Sequence, residues 1–143
     1  MTRIAIAGAA GRMGRVLIEA VDQHQQASLG AAFVLPEDPM LGVDAGALAG
    51  LGKVLELPTS ASIADHLDDF DVLIDFTSPA SSIANVEVCG AAGKSIVIGP
   101  TGLSDEQKTV LQQAAAGQST VFADNFSGGV NLCVNLVRVA GWG

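Results

Sequence analysis

Three glycines spaced three residues apart, Gly8, Gly11 and Gly14, lie between a short apolar run and a segment of helical character. Glycines at such a junction permit a tight turn and let backbone N–H groups approach a bound pyrophosphate. The helix that follows adds a partial positive charge at the same place. In the stricter G-x-G-x-x-G spacing, Ala9 takes the first glycine position. The loop therefore predicts a nucleotide site, and a glycine-rich turn without a ligand is the alternative.

Two later loops carry groups that could contact a ligand, and each directly follows an apolar run. Residues 99–102 (G-P-T-G) offer close backbone approach and the hydroxyl of Thr101. Residues 124–129 (D-N-F-S-G-G) offer an amide, a hydroxyl, an aromatic face and a glycine pair. Each loop taken singly is more typical of plain turn chemistry than of a ligand site. At one edge of the same sheet, the three loops together predict a cleft for an extended cofactor.

The elements that must position these loops alternate between strand and helix. Strands are predicted at residues 3–7, 28–34, 54–57, 71–76, 95–98 and 120–123. Helices are predicted at residues 12–24, 62–67, 79–92, 104–117 and 130–139, and residues 35–53 are irregular. This alternation predicts βαβ units and a parallel sheet, with ligands bound outside the carboxyl ends of the strands. The predicted fold class is α/β, a Rossmann-like doubly wound parallel sheet in a single domain.

Particular residues indicate where the helices begin and end. Ser78 can cap the helix that starts at Pro79, and Gly93 is placed to end it. Ser104 and Gln107 fit a capping box at the start of the next helix.

Composition excludes several classes of function for the 143 residues. A net charge of −8 and a pI near 4.4 argue against nucleic acid and acidic membrane surfaces as partners. No apolar run approaches the roughly 20 residues that span a bilayer. Cys89 and Cys133 lack metal-ligand or redox spacing, which favours buried free thiols in a reducing cytoplasm. No metal site is predicted.

Five segments lie in order along nearly the whole chain: residues 4–14 (I-A-I-A-G-A-A-G-R-M-G), 41–46 (L-G-V-D-A-G), 70–79 (F-D-V-L-I-D-F-T-S-P), 97–102 (V-I-G-P-T-G) and 121–131 (V-F-A-D-N-F-S-G-G-V-N). They resemble the cofactor domain of dihydrodipicolinate reductase, a bacterial and plant enzyme of the diaminopimelate route to lysine. Five motifs in register are far more specific than one glycine loop.

The resemblance implies a reductase that uses NADH or NADPH to deliver hydride to a cyclic imine dicarboxylate. It places the pyrophosphate on Gly8, Ala9, Ala10, Gly11, Arg12 and Met13, and puts Phe76 and Thr77 beside the middle of the cofactor. It implies that the nicotinamide is lined by Gly99, Pro100, Thr101, Ala123, Asp124, Asn125 and Phe126. It also implies that Thr101 touches the substrate.

The chain departs from the family at the end of the second predicted strand. Where the family typically has Glu followed by Arg to hold the adenosine ribose, this chain has Val34 and Leu35. Glu37 and Asp38 lie close by and could substitute, and Arg12 could supply a cation. The choice between NADH and NADPH is therefore open. Pro100 also replaces the Thr that is common in the family.

The family's substrate domain, with its His-His-x-x-Lys motif, comes next in the resemblance, whereas this chain ends at Gly143. We therefore expect a cofactor domain truncated before the substrate domain, with no catalytic residue of its own and little turnover alone. His24 and His66 are expected on surface helices, and Asp75 and Asp124 as structural caps. Uncovered apolar side chains near the C-terminus predict a homo-oligomer.

Two other functions stay open at this point. One is the cofactor domain of another amino-acid-pathway dehydrogenase, against which residues 125–131 argue. The other is a nucleotide-binding or interaction module without catalysis, which the missing ribose carboxylate favours.

Overall fold

Five parallel strands form a single twisted sheet in the computed structural model, which describes residues 2–98, 104–114 and 120–122. The strands are β1 (Thr2–Ala7), β2 (Ala27–Phe33), β3 (Val72–Asp75), β4 (Ser95–Ile98) and β5 (Thr120–Phe122). The helices are α1 (Arg12–Gln23), α2 (Ala45–Leu48), α3 (Pro79–Ala91) and α4 (Asp105–Ala114), with a 3-10 helix at Ala64–Asp69. The strand order is β2-β1-β3-β4-β5, so the predicted α/β fold class is confirmed.

The sheet is covered on both faces because side chains alternate along its central strands. Ile4 and Ile6 of β1 pack in one core with the apolar face of α1, whereas Ala5 and Ala7 pack in a second core with α3. The small alanines leave room for α3 to lie close to the sheet. The structure is therefore doubly wound.

The chain reverses its direction across the sheet after β2. It passes from β1 to β2 on one side and then crosses over to β3, which pairs with the other side of β1. The loops after β1 and β3 thus diverge from a topological switch point. In open α/β sheets, this is where the crevice for a ligand forms.

Both ends of α3 follow the sequence signals. The Ser78 hydroxyl accepts a hydrogen bond from the Ser81 N–H at 3.3 Å, and Pro79 occupies the first turn. At the other end Gly93 adopts a φ of +70°, and the Lys94 N–H donates to the Cys89 carbonyl at 2.8 Å. Since a left-handed residue is needed there, the glycine ends the helix.

The predicted capping box of α4 is also confirmed. The Gln107 N–H donates to the Ser104 hydroxyl at 3.1 Å, and the Ser104 N–H donates to Gln107 Oε1 at 3.0 Å. The predicted helix at residues 62–67 is a 3-10 helix shifted to Ala64–Asp69. The helix predicted at residues 130–139 lies outside the described residues.

The predicted strand at residues 54–57 is wrong, and Asp44 is the physical reason. Asp44 Oδ2 accepts from the N–H groups of Gly46, Ala47 and Leu55, and its Oδ1 accepts from that of Leu57, at 2.9–3.3 Å. The donors of the apolar run are therefore taken by a carboxylate rather than by a neighbouring strand. Asp44 also caps α2, which lies within the stretch predicted to be irregular.

Residues 34–63 connect β2 to the 3-10 helix, and we name this segment the excursion. Its last part covers the outer edge of β2. Ser60 forms an isolated parallel bridge with Phe33. The Val34 N–H donates to the Ser60 carbonyl at 2.9 Å, and the Ser60 N–H donates to the Ala32 carbonyl at 3.0 Å. The bridge between Ser60 and Phe33 thus occupies the position that a sixth strand would have. It holds the excursion beside the carboxyl end of β2.

Replacement of Asp44 by Asn should destabilise the protein and reduce the pH dependence of its stability. Burial raises the pKa of Asp44, but its four backbone N–H donors lower it further, to below its usual 3.8. Its stabilisation is therefore complete above the unfolded pKa and is lost as the pH falls through the folded pKa. We expect Asp44→Asn to cost about 2 kcal/mol at neutral pH, measured by urea unfolding.

The wild type should also lose more stability than Asp44→Asn between about pH 5 and pH 3. Asp38→Asn is the matched control, because Asp38 accepts a backbone hydrogen bond from Met40 alone, at 2.8 Å. Equal effects of the two substitutions would contradict the role of Asp44.

Candidate functional site

The turn after β1 is fixed by backbone hydrogen bonds to the end of β2. The N–H groups of Gly8 and Ala9 both donate to the Phe33 carbonyl, at 3.1 and 3.0 Å. The Gly11 N–H donates back to the Gly8 carbonyl at 3.1 Å. Gly8 has a φ of +82°, a conformation that favours glycine. The loop is therefore a defined turn that connects β1 to α1.

The glycines of this turn are required by space as well as by conformation. A Cβ atom at Gly8 would lie 2.8 Å from the Phe76 carbonyl oxygen, and one at Gly14 would overlap the carbonyl oxygen of Gly8. Ala9 is fully buried between them. The loop after β3 thus lies directly against the glycine turn, and α1 approaches β1 more closely than a side chain would permit.

The N-terminus of α1 lacks a side-chain cap among the described residues. Gly11 is the N-cap residue, and the first turn contains no acidic side chain. The N–H groups of Arg12, Met13 and Gly14 have no partner within the helix, as at the start of any α-helix. A twelve-residue helix places a partial positive charge at this end. N–H donors without a partner in the described part of the chain, together with a helix dipole, make this end of α1 a candidate anion site.

A buried carboxylate orders the loop after β3. Asp75 has no exposed surface. Its Oδ1 accepts from the N–H and the hydroxyl of Thr77, at 2.8 and 2.5 Å, and its Oδ2 accepts from Asn85 Nδ2 at 3.0 Å. The prediction that Asp75 is a structural cap is confirmed. Asp75 fixes both the loop and one face of α3.

A cavity of about 170 Å³ opens at the switch point. It lies between the ends of β1 and β2 and the start of α3, and we name it the switch-point cavity. Its lining includes Gly8, Val34, Leu35, Thr77, Ser81 and Asn85. The cavity is therefore adjacent to the anion site and on the β2 side of it.

The residues at the end of β2 give this cavity an apolar wall. Val34 is only 7% exposed, and Leu35, at 53%, forms the rim. Neither Glu37 nor Asp38 lines the cavity. Asp38 instead accepts the Met40 N–H at 2.8 Å in a local turn. The structure thus gives no support to the expectation that these two carboxylates take the place of the missing ribose ligand.

The other predicted loops begin at the same edge of the sheet. Asp75 of β3 pairs with Ile98 of β4, and Ile98 pairs with Phe122 of β5. These three strands therefore end in register. The residues predicted to contact the nicotinamide or the substrate all lie outside the described residues: Gly99, Pro100, Thr101, Ala123, Asp124, Asn125 and Phe126.

The two histidines lie away from the switch-point cavity. His24 follows the last residue of α1, and His66 Nδ1 lies 2.9 Å from Asp69 Oδ2 on the 3-10 helix.

Burial raises the pKa of Cys89 to about 12, so it remains a thiol at neutral pH. Within residues 2–98, 104–114 and 120–122, acidic, histidine and cysteine side chains form no cluster that could hold a metal ion.

Sequence reasoning missed Ser81 and Asn85, which both line the cavity. They are four residues apart in α3 and so share one helix face. The helix begins two residues after Thr77, which the sequence did identify. A helical projection of α3 from the switch point would have found them.

None of the helices in the described part of the chain is long and apolar enough to cross a membrane.

Comparison with known proteins agrees with this geometry. Residues 2–126 match the family model described as "Dihydrodipicolinate reductase, N-terminus". The chain is 53% identical over 139 residues to a 4-hydroxy-tetrahydrodipicolinate reductase of Hahella chejuensis, covering 97% of this chain and 52% of the relative. It is 50% identical to the enzyme of the same name from Saccharophagus degradans, with the same coverage.

A solved structure gives the same fold. The dipicolinate-bound dihydrodipicolinate reductase from Paenisporosarcina sp. TG-14 superposes with a TM-score of 0.66 at 24% identity, covering 87% of this chain and 48% of that one. The chain spans about half the length of the curated relatives it matches. By the family match and by its similarity to these relatives, the chain belongs to the dihydrodipicolinate reductase family, within the N-terminal nucleotide-binding domain.

Proposed function

We propose that this chain binds NADH or NADPH as the cofactor domain of a dihydrodipicolinate reductase. The observation that carries the proposal is the uncapped N-terminus of α1, set behind a glycine turn that leaves no room for a Cβ at Gly8 or Gly14. The switch-point cavity lies beside it. An extended ligand with a central diphosphate has the charge and the length to occupy both.

The residues that would hold the cofactor follow from this arrangement. The pyrophosphate would bind at the turn formed by Gly8, Ala9, Ala10, Gly11, Arg12 and Met13. It would accept hydrogen bonds from the N–H groups that the turn itself does not use, those of Ala10, Arg12 and Met13. Arg12 is exposed at the first turn of α1, where its guanidinium can reach a phosphate. The adenosine half would enter the switch-point cavity. The nicotinamide half would pass Phe76 and Thr77 towards the loops after β4 and β5.

For the whole protein we propose hydride transfer from the reduced nicotinamide to a cyclic imine dicarboxylate. The names of the curated relatives support this reaction. A dicarboxylate substrate is further supported by the dipicolinate in the solved relative. The substrate would meet the nicotinamide near Thr101. A homo-oligomer in the cytoplasm, in the diaminopimelate route to lysine, completes the proposal.

A nucleotide-binding or interaction module without catalysis is the second candidate, and in its interaction form it would not bind a dinucleotide. It is favoured by Val34 and Leu35, which offer no hydrogen bond to a ribose where dinucleotide sites usually have a carboxylate. The same titrations that test the first proposal separate the two candidates.

Replacement of Gly11 by Asp should abolish dinucleotide binding and leave the fold intact. Gly11 has a φ of −75° and a ψ of 170°, which any residue can adopt, and a Cβ there would lie 3.4 Å from the nearest heavy atom. Replacing a Gly N-cap by Asp stabilises a helix by only a few tenths of a kcal/mol. The Asp carboxylate would also occupy the N–H donors and repel the pyrophosphate, so NADH affinity should fall at least about 100-fold.

Thermal unfolding and calorimetric titration with NADH measure both effects. Gly11→Asn is the matched control, because Asn caps as well as Asp but carries no charge. It should weaken binding less than Asp does. NADH affinity unchanged in Gly11→Asp would show that the N-terminus of α1 is not the pyrophosphate site.

The isolated chain should bind NADH without turning over the cyclic imine. The 143 residues lack the His-His-x-x-Lys motif that the resemblance assigns to the substrate domain, so we expect them to lack the general acid for the imine. The absorbance of reduced nicotinamide, followed with the imine present, measures turnover. Steady consumption of NADH by the purified chain would contradict this expectation.

A further inference from the structure

The hydrogen-bonding groups of the switch-point cavity are oriented by a residue behind its wall. Asn85 and Thr77 both line the cavity, and both donate to the fully buried Asp75. Asn85 uses its Nδ2 group and Thr77 its hydroxyl hydrogen. Because a carboxylate only accepts hydrogen bonds, this fixes the sense of each contact. The Asn85 Oδ1 atom and the lone pairs of the Thr77 hydroxyl are then left to accept.

The remaining wall carries no charge. The described residues of the lining are apolar or neutral polar, from Val34 and Leu35 at one side to Ser81 at the other. The whole chain has a net charge of −8. A ligand group that enters this cavity therefore meets apolar surface, the acceptors of Asn85 and Thr77 and the Ser81 hydroxyl, and no cation from the described lining.

These properties distinguish the two reduced nicotinamide cofactors. The adenosine ribose of NADH carries hydroxyl groups, which donate to acceptors. The 2′-phosphate of NADPH adds a charge of about −1.5 to −2 and at neutral pH offers mainly acceptors. Moving such a group from water to an acceptor-lined wall without a cation is unfavourable. The cavity thus fits a free ribose and disfavours its phosphate ester.

We propose that the switch-point cavity selects NADH over NADPH, and that Asn85, held in place by Asp75, is the residue that recognises the ribose hydroxyls. The inference rests on the proposed function, because it assigns the adenosine half to this cavity. In other dinucleotide sites a carboxylate at the end of β2 binds the ribose. Here we assign that role to Asn85 of α3.

Calorimetric titration of the chain with NADH and with NADPH tests the preference. We expect NADH to bind at least about tenfold more tightly. Equal affinities, or tighter binding of NADPH, would overturn the selectivity and leave the proposed function standing. Binding of neither cofactor would overturn both.

A cation at the rim should weaken or remove the preference. Leu35 is 53% exposed, so Leu35→Arg can be accommodated without disturbing the core. It should raise the ratio of NADPH affinity to NADH affinity about tenfold or more. Leu41→Arg is the matched control, because Leu41 is 43% exposed in the same excursion but does not line the cavity. Equal gains in both variants, or no gain in either, would contradict the placement of the ribose.

Replacement of Asn85 by Ala tests the recognising residue itself. NADH affinity should fall about five- to tenfold, and NADPH affinity should fall less, so the ratio of the two should shrink. A purely structural role would weaken both cofactors by the same factor, and that result would overturn the role of Asn85. If Asn85→Ala does not fold, the measured preference of the wild type and of Leu35→Arg decides whether the cavity is selective.

Discussion

The site depends on the close approach of α1 to the end of β1. Gly14 lies against the carbonyl of Gly8, and Gly8 lies against the carbonyl of Phe76, with no space for a Cβ at either position. This packing brings the first turn of α1, the turn after β1 and the loop after β3 to one point of the sheet edge. It also places the first N–H groups of the helix at this point. The contacts that we propose for the pyrophosphate are consequently made mainly by the backbone.

Two aspartates stabilise this arrangement through hydrogen bonds to protein atoms, and we assign neither of them a contact with the cofactor. Asp44 gathers four backbone N–H groups and thereby folds the excursion between β2 and the 3-10 helix against the edge of β2. Asp75 gathers three donors at the end of β3 and orients Asn85. Both occur in segments that resemble family motifs, and both act on protein atoms. The first shapes the β2 side of the cavity, and the second sets the direction of its hydrogen bonds.

Sequence patterns predicted most of the fold because the relevant physics is local. Alternation of strand and helix, the cap at Ser78 and the capping box at Ser104 depend on residues a few positions apart. The strand predicted at residues 54–57 failed because its donors bond to Asp44, eleven and thirteen residues away. Asn85 was missed for a related reason, since its importance comes from Asp75, ten residues earlier. The glycine turn was found because its spacing is itself the signal.

The central claim is that the N–H groups at the start of α1 bind the pyrophosphate of a nicotinamide dinucleotide. Backbone amide chemical shifts, followed by NMR during titration with NADH, test it most directly. We expect the largest downfield shifts at Arg12, Met13 and Gly14, with smaller changes at Thr77 and Asn85 around the switch-point cavity. Amides at the start of α1 that stay unmoved while NADH binds elsewhere on the chain would contradict it.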